Sequence, residues 1–475
     1  MRRTLAVLSA LLLGLLTAVP PAVASFTPPA SFKNVNLVHV LSAEKNYVKE
    51  TINVLIENVA SSPQDKYYLV IPPEKFAHVG GIEVKDRKDA NVGPFATEAV
   101  DDTYFRITLP MPLAAGAQQT LGITYYILSA YRPLPAFIAQ DQKQYLLYDF
   151  SAYAPSAYET IKQKTEVKFP NSDVPEYSKF EGKEKTLVQK QGAKLTYGPF
   201  DTLPAGALRP VSARFEFTKP VSHVERLERD IEVSHWGGNV AFEERYHLIN
   251  RGANLSSLFN RVKWAQSAFY NPQTFALKEL KFPLRPGSAD AYYTDVIGNV
   301  STSRFRNGKR EALLEIKPRY PVFGGWTFPF TIGWNADAAL FLRRLGSSYV
   351  LNVPFLEGPK QQEGVEYESV RLQILLPEGA ENVKYWANIP SSSIVASTIT
   401  THKTYLDTKG RTAVTIEARN LVDDFRDREV VVTYDYSLLA SLRKPLVAFA
   451  SVLSLFGAAY TIGNVELKFS KKMDA

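Results

Sequence analysis

Apolar and polar positions alternate every two residues through most of the chain, the pattern of half-buried β-strands. In residues 46–58, NYVKETINVLIEN, Ile52, Val54 and Ile56 share one face and the intervening residues share the other. Similar alternation, rich in Val, Ile, Leu, Thr and Tyr, occurs in EVVVTYDYSL, YVLNVPFL, VRLQILLPEG and AVTIEAR. Helical periodicity is scarce away from the two ends. The pattern predicts a mainly β protein.

Two parts of the chain resemble each other. Residues 106–127 align with residues 314–335, a shift of 208 positions. The resemblance pairs Asn58 with Asn250, Pro110 with Pro318, Gly116 with Gly324, and Pro170 with Pro377. Strand-proline-turn segments are common in β proteins, so chance similarity is the alternative. The favoured interpretation is two tandem β-sandwich-like domains, residues 25–218 and 219–440, followed by a single transmembrane helix.

The N-terminus has the three regions of a secretory signal peptide. Two arginines precede an apolar run, residues 5–16, that is short for a bilayer span, and an Ala-Val-Ala triplet ends at Ala24. We expect cleavage between Ala24 and Ser25, which makes residues 1–24 the signal peptide. An uncleaved anchor is the alternative.

Near the other end, residues 446–462 carry no charge. A run of this length makes a helix of roughly 25 Å, at the short end for a membrane span. A buried amphipathic helix is the alternative, but a lysine-bearing tail follows at once, as positive-inside topology expects. We predict a transmembrane helix at 445–463, a cytosolic tail at 464–475, and a large lumenal portion.

Small residues recur along one side of this predicted helix. Ala450, Ser454 and Ala458 follow one another every four residues, and Gly457 lies beside them. Small side chains let a second helix approach closely, and such packing drives helix association in lipid. We predict that this face docks on another subunit's transmembrane helix; chance spacing of small residues is the alternative.

The composition of the chain excludes one class of metal site and argues against nucleic acid as a partner. The 475-residue chain has no cysteine, so large cores or partner subunits must replace disulfides, and thiolate metal sites are excluded. The net charge of +7 arises from 55 basic and 48 acidic residues that are interleaved along the chain. There is no basic stripe with stacking aromatic residues, so nucleic acid is not a predicted partner.

The sequence contains none of the common motifs for zinc, serine or nucleotide chemistry. His235 and His247 could share a sheet, but no third metal ligand is evident. The pairs Asp101-Asp102, Glu243-Glu244 and Asp423-Asp424 suggest a glycosidase, yet neighbours on a strand point to opposite faces. Solvated turn charge is the favoured interpretation, and convergence of carboxylates from distant strands stays open. We predict no catalytic residue, metal or cofactor.

Two acceptor triplets for N-linked glycans suit a translocated chain. Asn254 begins Asn-Leu-Ser and Asn299 begins Asn-Val-Ser, and neither triplet has proline in the middle. Both lie next to turn-forming residues. We predict glycans on both; a triplet hidden by rapid folding is the alternative.

Several longer stretches together resemble the ribophorin I family, the alpha subunit of the endoplasmic-reticulum oligosaccharyltransferase. The resemblance covers nearly the whole chain after the signal peptide and is densest in its second half. The stretches are IEVSHWGGNVAFEE (231–244), YYTDVIGNVSTS (292–303), IKPRYPVFGGW (316–326), ILLPEGAENV (374–383) and TYLDTKGR (404–411).

The resemblance implies a non-catalytic, type I subunit of the complex that transfers lipid-linked oligosaccharide to the Asn of Asn-x-Ser/Thr. In that complex the transferase chemistry belongs to a multispanning subunit with a W-W-D-Y-G motif, which this sequence lacks. The implied partners are the other subunits, including the catalytic one, and nascent acceptor polypeptide. The short basic tail is similar to that of the fungal form.

Two other functions stay open at this point. Tandem β domains also accompany membrane-anchored lumenal peptidases and glycosidases, and they occur in adhesion modules at the cell surface. The missing catalytic motif favours the oligosaccharyltransferase subunit over an enzyme, and the short lysine tail favours it over an adhesion module.

Overall fold

The computed structural model of the protein describes residues 26–464 except 90, 91, 271, 405 and 406. In this part of the chain, strands hold far more residues than helices do, and one long apolar helix lies at the C-terminal end. The predicted mainly β fold class is confirmed. The predicted cleavage site between Ala24 and Ser25 and the tail after Asn464 lie outside the described residues.

The first fifteen strands form what we call the N-terminal repeat, which also contains the short helix α1 (Pro73–Phe76). Its strands are β1 Phe32–Ser42, β2 Val48–Asn58, β3 Gln64–Val70, β4 Val79–Asp86, β5 Ala96–Ala99, β6 Tyr104–Leu113, β7 Gln118–Ile127, β8 Tyr131–Pro133, β9 Phe137–Ile138, β10 Tyr145–Ser151, β11 Thr160–Lys168, β12 Glu176–Tyr177, β13 Val188–Gln191, β14 Lys194–Leu203 and β15 Pro210–Glu216.

The remaining strands form the C-terminal repeat, which holds helix α2 (Arg261–Tyr270) and leads into helix α3 (Leu438–Asn464). Its strands are β16 Ser222–Ser234, β17 Asn239–Asn250, β18 Asn254–Leu255, β19 Leu280–Leu284, β20 Ala289–Asp295, β21 Gly298–Asn299, β22 Arg304–Asn307, β23 Ala312–Ile316, β24 Thr327–Asp337, β25 Leu342–Leu345, β26 Ser348–Pro354, β27 Glu366–Leu375, β28 Glu381–Ala387, β29 Ile394–His402, β30 Arg411–Val422 and β31 Glu429–Asp435.

Both repeats order their strands in the same way. The large sheet of the N-terminal repeat runs β13-β14-β11-β1-β2-β7-β4, and that of the C-terminal repeat runs β29-β30-β27-β16-β17-β24-β20, with β21 added at the edge. The smaller sheets β12-β15-β10-β8 and β3-β6-β5 correspond to β28-β31-β26-β25 and β19-β23-β22. The sequence repeat is therefore a repeat of topology.

The register of the first hairpin repeats as well. A bulge interrupts the β1–β2 ladder at Val35, and another interrupts the β16–β17 ladder at Glu225, at the same distance from the strand start. Strand β1 pairs in parallel with β11, as β16 pairs with β27. A bulge adds local twist, and its retention indicates that both hairpins bend alike.

A glycine that contacts the last residue of the second strand in each repeat corrects the sequence alignment by one residue. Gly116 donates its N–H to the Asn58 carbonyl at 2.8 Å, and Gly325 donates to the Asn250 carbonyl at 2.7 Å. Both glycines have positive φ, 73° and 76°. Gly116 therefore corresponds to Gly325, not to Gly324, because Gly325 makes the same hydrogen bond in the same backbone conformation.

Each repeat has its own hydrophobic core. One cluster of buried side chains extends from Phe32 to Val221. The other extends from Val224 to Tyr434 and includes three residues of the N-terminal repeat, Tyr47, Tyr126 and Leu128. The domain limits 25–218 and 219–440 stay a prediction, to which the change of cluster between Val221 and Val224 lends support.

Asp423 and Asp424 form a polar contact between the repeats, so the interpretation of this pair as solvated turn charge was wrong. Lys45 donates to Asp424 at 2.8 Å, Lys49 donates to Asp424 at 3.0 Å, and the Tyr47 hydroxyl donates to Asp423 at 2.5 Å. Burial alone would raise the pKa of Asp424, but the two lysines hold it well below its usual range. The network ties the β1–β2 loop to the C-terminal repeat.

The other two acidic pairs also have structural partners. Glu244 is fully buried against Arg229, whereas Glu243 on the opposite face is half-exposed, as strand alternation predicts. Asp101 accepts hydrogen bonds from the backbone N–H groups of Thr103 and Tyr104. The interpretation as solvated turn charge is therefore correct for Asp101. It is wrong for Glu244, because that carboxylate is buried in the sheet against the Arg229 guanidinium.

Candidate functional site at the base of the C-terminal helix

Helix α3 is the candidate membrane anchor. It has 27 residues, which make it roughly 40 Å long. It is apolar enough to cross a membrane, and its apolar window is not buried against the rest of the described chain. It begins at Leu438, seven residues before the predicted span, because the Ser437 hydroxyl accepts the Ala440 N–H at 3.2 Å as an N-cap.

A proline inside this helix creates the first contact with the β repeats. Pro445 has no backbone N–H, so the Ser441 carbonyl four residues earlier loses its helical donor. The Trp236 indole N–H donates to that carbonyl at 2.6 Å. Trp236 lies in the loop between β16 and β17, and its ring is 65% exposed. Tryptophan with an apolar ring and one polar atom is enriched where proteins enter a bilayer.

An ion pair forms the second contact. The Lys444 ammonium lies 2.6 Å from a carboxylate oxygen of Asp407, which also accepts the Thr404 N–H at 2.9 Å. Burial alone would raise the pKa of Asp407, but the hydrogen bonds from Lys444 and Thr404 hold it well below its usual range. The first two turns of α3 are thus fixed to the C-terminal repeat by one hydrogen bond and one ion pair.

A mainly apolar groove of about 690 Å³ lies between the helix and the end of the large sheet. Trp236 and Val233 form part of its sheet side, and Val447, Ala448 and Val452 form part of its helix side. Apolar surface that continues from a folded domain onto a span-length helix is suited to contact with hydrocarbon. The groove therefore marks the level at which the β repeats meet the anchor.

The four small residues of the predicted docking face, Ala450, Ser454, Gly457 and Ala458, are all exposed on α3. The Ser454 hydroxyl donates to the Ala450 carbonyl at 2.7 Å, so its polar group is satisfied within the helix. The groove uses a different side of the helix, roughly 100° away by helical geometry. Among the described residues nothing packs on the small-residue face, and docking there stays a prediction.

The two glycan acceptors differ in accessibility. Asn299 is exposed in β21, next to the turn of the β20–β21 hairpin. Asn254 is half-buried in β18, where its N–H donates to the Ala136 carbonyl at 2.9 Å and its amide oxygen lies against Gly325. In the folded protein Asn299 is the more exposed acceptor, and Asn254 is held in a strand, so we expect any glycan on Asn254 to be attached before folding.

The two histidines do not form a common site. His247 lies within β17 and pairs with Glu225, whereas His235 follows the end of β16 and lies 2.8 Å from the Tyr434 hydroxyl. Eight ladder positions separate the partner of His247, Arg226, from Ser234, which is about 25 Å along a strand. His235 therefore lies beyond the end of the sheet, far from His247.

The sequence did not predict that Trp236, Lys444 and Asp407 together join helix α3 to the C-terminal repeat. The stretch SHWGG and the proline at 445 were each visible, but no sequence pattern pairs an indole with a carbonyl about 200 positions away. A proline within an apolar helical run, which always frees one carbonyl, was the available signal.

A family profile and the similar proteins of known name agree on the family of this chain. A profile of the family described as Ribophorin I matches residues 32–463. The chain is 32% identical to dolichyl-diphosphooligosaccharide–protein glycosyltransferase subunit 1 of Caenorhabditis elegans, over 90% of this chain and 71% of that protein. It is 28% identical to subunit 1 of Schizosaccharomyces pombe, over 91% of this chain and 95% of that protein.

Solved structures are much less similar. An M1 zinc metallopeptidase from Deinococcus radiodurans aligns with 45% of this chain and 42% of its own, at a TM-score of 0.26 and 10% identity. A score this low supports no inference about fold or activity.

Proposed function

The chain belongs to the ribophorin I family, and from this premise we propose that it is subunit 1 of an oligosaccharyltransferase complex in protein N-glycosylation. The observation that carries the proposal is the similarity to proteins named subunit 1 of that glycosyltransferase, over about nine-tenths of the chain in worm and fission yeast. The apolar C-terminal helix supports the same role, because it suits a membrane-anchored subunit.

Within the complex, we propose a non-catalytic role. Buried charged groups of the C-terminal repeat are engaged with one another, as in Arg229 with Glu244 and Glu357. The family resemblance assigns the transfer reaction to a different, multispanning subunit. This chain then braces that subunit and helps to present acceptor polypeptide on the lumenal side.

We further propose that α3 spans the endoplasmic-reticulum membrane with both repeats in the lumen. Trp236 and Lys444 then lie at the lumenal interface, where an indole and an ammonium are well accommodated. The small residues Ala450, Ser454, Gly457 and Ala458 are free for a helix of another subunit. Glycans on Asn299 and Asn254 would follow from the same orientation.

Affinity purification in mild detergent tests the proposed subunit role. The tagged chain is expected to co-purify with the multispanning transferase. A solitary chain would refute the proposal. The double variant Ser454→Leu, Ala458→Leu should reduce co-purification at least severalfold, because bulky side chains keep a second helix away.

A control for that variant is Ala459→Leu, which adds a single leucine on another side of α3. It should co-purify at the wild-type level. If the double variant also co-purifies at the wild-type level, the docking face is elsewhere and the lumenal repeats carry the assembly.

Endoglycosidase treatment tests the orientation. The mobility of the wild-type chain should shift, and Asn299→Gln should remove one increment. The same change at Asn254 should remove a second increment. A chain without any shift would contradict the lumenal placement of the repeats.

A further inference from the structure

Strand β29 is an open edge of the large sheet in the C-terminal repeat. Among the described residues it pairs only with β30, and every residue from Val395 to His402 is exposed. Val395 is 60% exposed and Ile399 is 47% exposed. The strand thus projects beyond the core, with both of its faces in solvent.

The direction of the free backbone groups follows from one hydrogen bond. Leu376 donates its N–H to the Thr412 carbonyl at 2.9 Å, so the polar backbone groups of Thr412 face β27. Backbone direction alternates along a strand, so Ala413 and Thr415 face β29, where they oppose Thr400 and Thr398. The N–H and C=O groups of the intervening β29 residues, Ser397, Ile399 and Thr401, must therefore point outward.

Strand β13 occupies the same position in the N-terminal repeat and is protected. It has four residues, VQKQ, and carries Lys190. Short length and lysine are the usual means by which proteins prevent strand addition at an edge. Strand β29 has nine residues, IVASTITTH, with neither proline nor a lysine, arginine or acidic side chain. Only its bulge at Val395 interrupts the edge.

We propose that β29 receives an extended strand from a resident subunit of the complex, by addition to the sheet edge. Alternating outward N–H and C=O groups are satisfied by another extended backbone. The flanking side chains are small or β-branched and uncharged, which suits a strand with similar residues. An edge of this kind promotes aggregation when it is left open, so a permanent subunit explains it better than a transient peptide.

The position of the edge agrees with a membrane subunit as the donor. His402 at one end of β29 opposes Arg411, which lies 3.6 Å from Asp407 in the junction with α3. At the other end, Ser393 accepts the N–H of Gly81 in the N-terminal repeat. The added strand would run from the anchor junction toward the N-terminal repeat. This inference rests on the proposed subunit role.

Hydrogen exchange in the purified complex tests the proposal directly. The amides of Ser397, Ile399 and Thr401 should exchange at least tenfold more slowly in the complex than after the subunits are separated in stronger detergent. Thr398 and Thr400 face β30 and should stay protected in both states, which shows that the ladder is intact. Equal exchange of the outward amides in both states would overturn the proposal.

A photo-crosslinker at Thr400 identifies the occupant. Cross-links to one resident subunit support the proposal; cross-links to a second copy of this chain, or to many acceptor polypeptides, overturn it. Ile399→Pro removes an outward N–H and should abolish the cross-link, whereas Ile399→Thr retains that N–H and should preserve it. If the chain does not co-purify with the complex, the proposed function fails; if it co-purifies with a free edge, only this inference fails.

Discussion

The loop of the first hairpin in each repeat contacts the part of the chain that follows that repeat. In the N-terminal repeat, the β1–β2 loop carries Lys45, which pairs with Asp423 of the C-terminal repeat. In the C-terminal repeat, the β16–β17 loop carries Trp236, which donates to Ser441 of helix α3. One structural position therefore joins the first repeat to the second, and the second repeat to the anchor.

The same hairpins differ in the ionisable side chains that they bury. His39 and Arg229 occupy equivalent positions, four residues after the shared bulge, and both are buried. His39 lies 2.9 Å from Glu50, to which Tyr125 also donates. Arg229 pairs with Glu244 and with Glu357. The two repeats thus keep the same topology but bury different pairs, His39 with Glu50 in one and Arg229 with two glutamates in the other. A buried carboxylate needs a partner, but several residue types can provide it.

The largest difference between the repeats should come from removing these two buried side chains. Arg229→Leu leaves two buried carboxylates without their cation and should lower the free energy of unfolding by about 3–5 kcal/mol. His39→Leu leaves Glu50 with Tyr125 and Lys75 nearby and should cost about 1–3 kcal/mol. All five tryptophans lie in the C-terminal repeat, so urea unfolding followed by tryptophan fluorescence measures the effect of Arg229→Leu. Hydrogen exchange in the N-terminal repeat measures the effect of His39→Leu.

A variant of an exposed arginine shows whether the effect of Arg229→Leu comes from burial or from loss of charge alone. Arg245→Leu removes a guanidinium that is 40% exposed, so its ion pairs should be worth at most about 1 kcal/mol. If Arg229→Leu costs no more than Arg245→Leu, the buried triad does not stabilise the C-terminal repeat.

Acid should affect the N-terminal repeat through Glu50. Burial alone would raise the pKa of Glu50, but His39, Lys75 and Tyr125 lower it to about 2. The stabilisation is present above the usual carboxyl pKa and is lost as the pH falls from about 4.5 to about 2, a loss of about 3 kcal/mol. Burial raises the pKa of Glu244 despite Arg229, so its protonation in acid does not remove stability in this way.

The measurement is hydrogen exchange of β1 and β2 amides between pH 5 and pH 2.5, corrected for intrinsic rates. Protection should fall in the wild type and change much less in Glu50→Gln. Equal loss of protection in both proteins would show that other groups cause the acid response.

The two turn glycines provide a smaller and closely matched test. Both have positive φ, so Gly116→Ala should cost about 1 kcal/mol from backbone strain alone, because its new methyl group would meet no atom within 4 Å. Gly325→Ala carries the same strain and also collides with the Asn254 amide oxygen. Thermal unfolding should therefore rank Gly325→Ala as the more destabilising change. Equal shifts would mean that Asn254 moves aside freely.

An effect as small as that of Gly116→Ala should come from the loop that meets the anchor. Trp236→Phe removes the indole N–H and leaves the Ser441 carbonyl without a donor, at a cost of about 1 kcal/mol. Pro445→Ala restores a helical N–H for that carbonyl, so Trp236→Phe should cost less in its presence. A double-mutant cycle with no coupling would contradict the role assigned to Pro445.

Sequence patterns predicted the features that depend on periodicity. Alternation such as that around Val54 predicted the strands, and the uncharged run after Pro445 predicted the apolar helix. The alignment of Gly116 with Gly324 missed the register by one residue, because two adjacent glycines at 324 and 325 match equally well in sequence. Only the hydrogen bond to Asn250 distinguishes them.

Features that depend on distant contacts could not be predicted in this way. Asp424 has the local sequence of a solvated turn, and its lysine partners lie more than 370 positions earlier. Trp236 and Ser441 are likewise joined only in the folded chain. The uncharged stretch of β29 carries no sequence signal for an edge position, and its lack of a second neighbour is evident only from the strand order.

Depletion and replacement of the chain in cells tests its proposed role in N-glycosylation most directly. The occupancy of acceptor sites on reporter glycoproteins would be measured by mass spectrometry after depletion and after return of the wild type or the Ser454→Leu, Ala458→Leu variant. Occupancy should fall on depletion and recover with the wild type, and the variant should restore it only in part. Unchanged occupancy after depletion would contradict the assignment of this chain to the oligosaccharyltransferase complex.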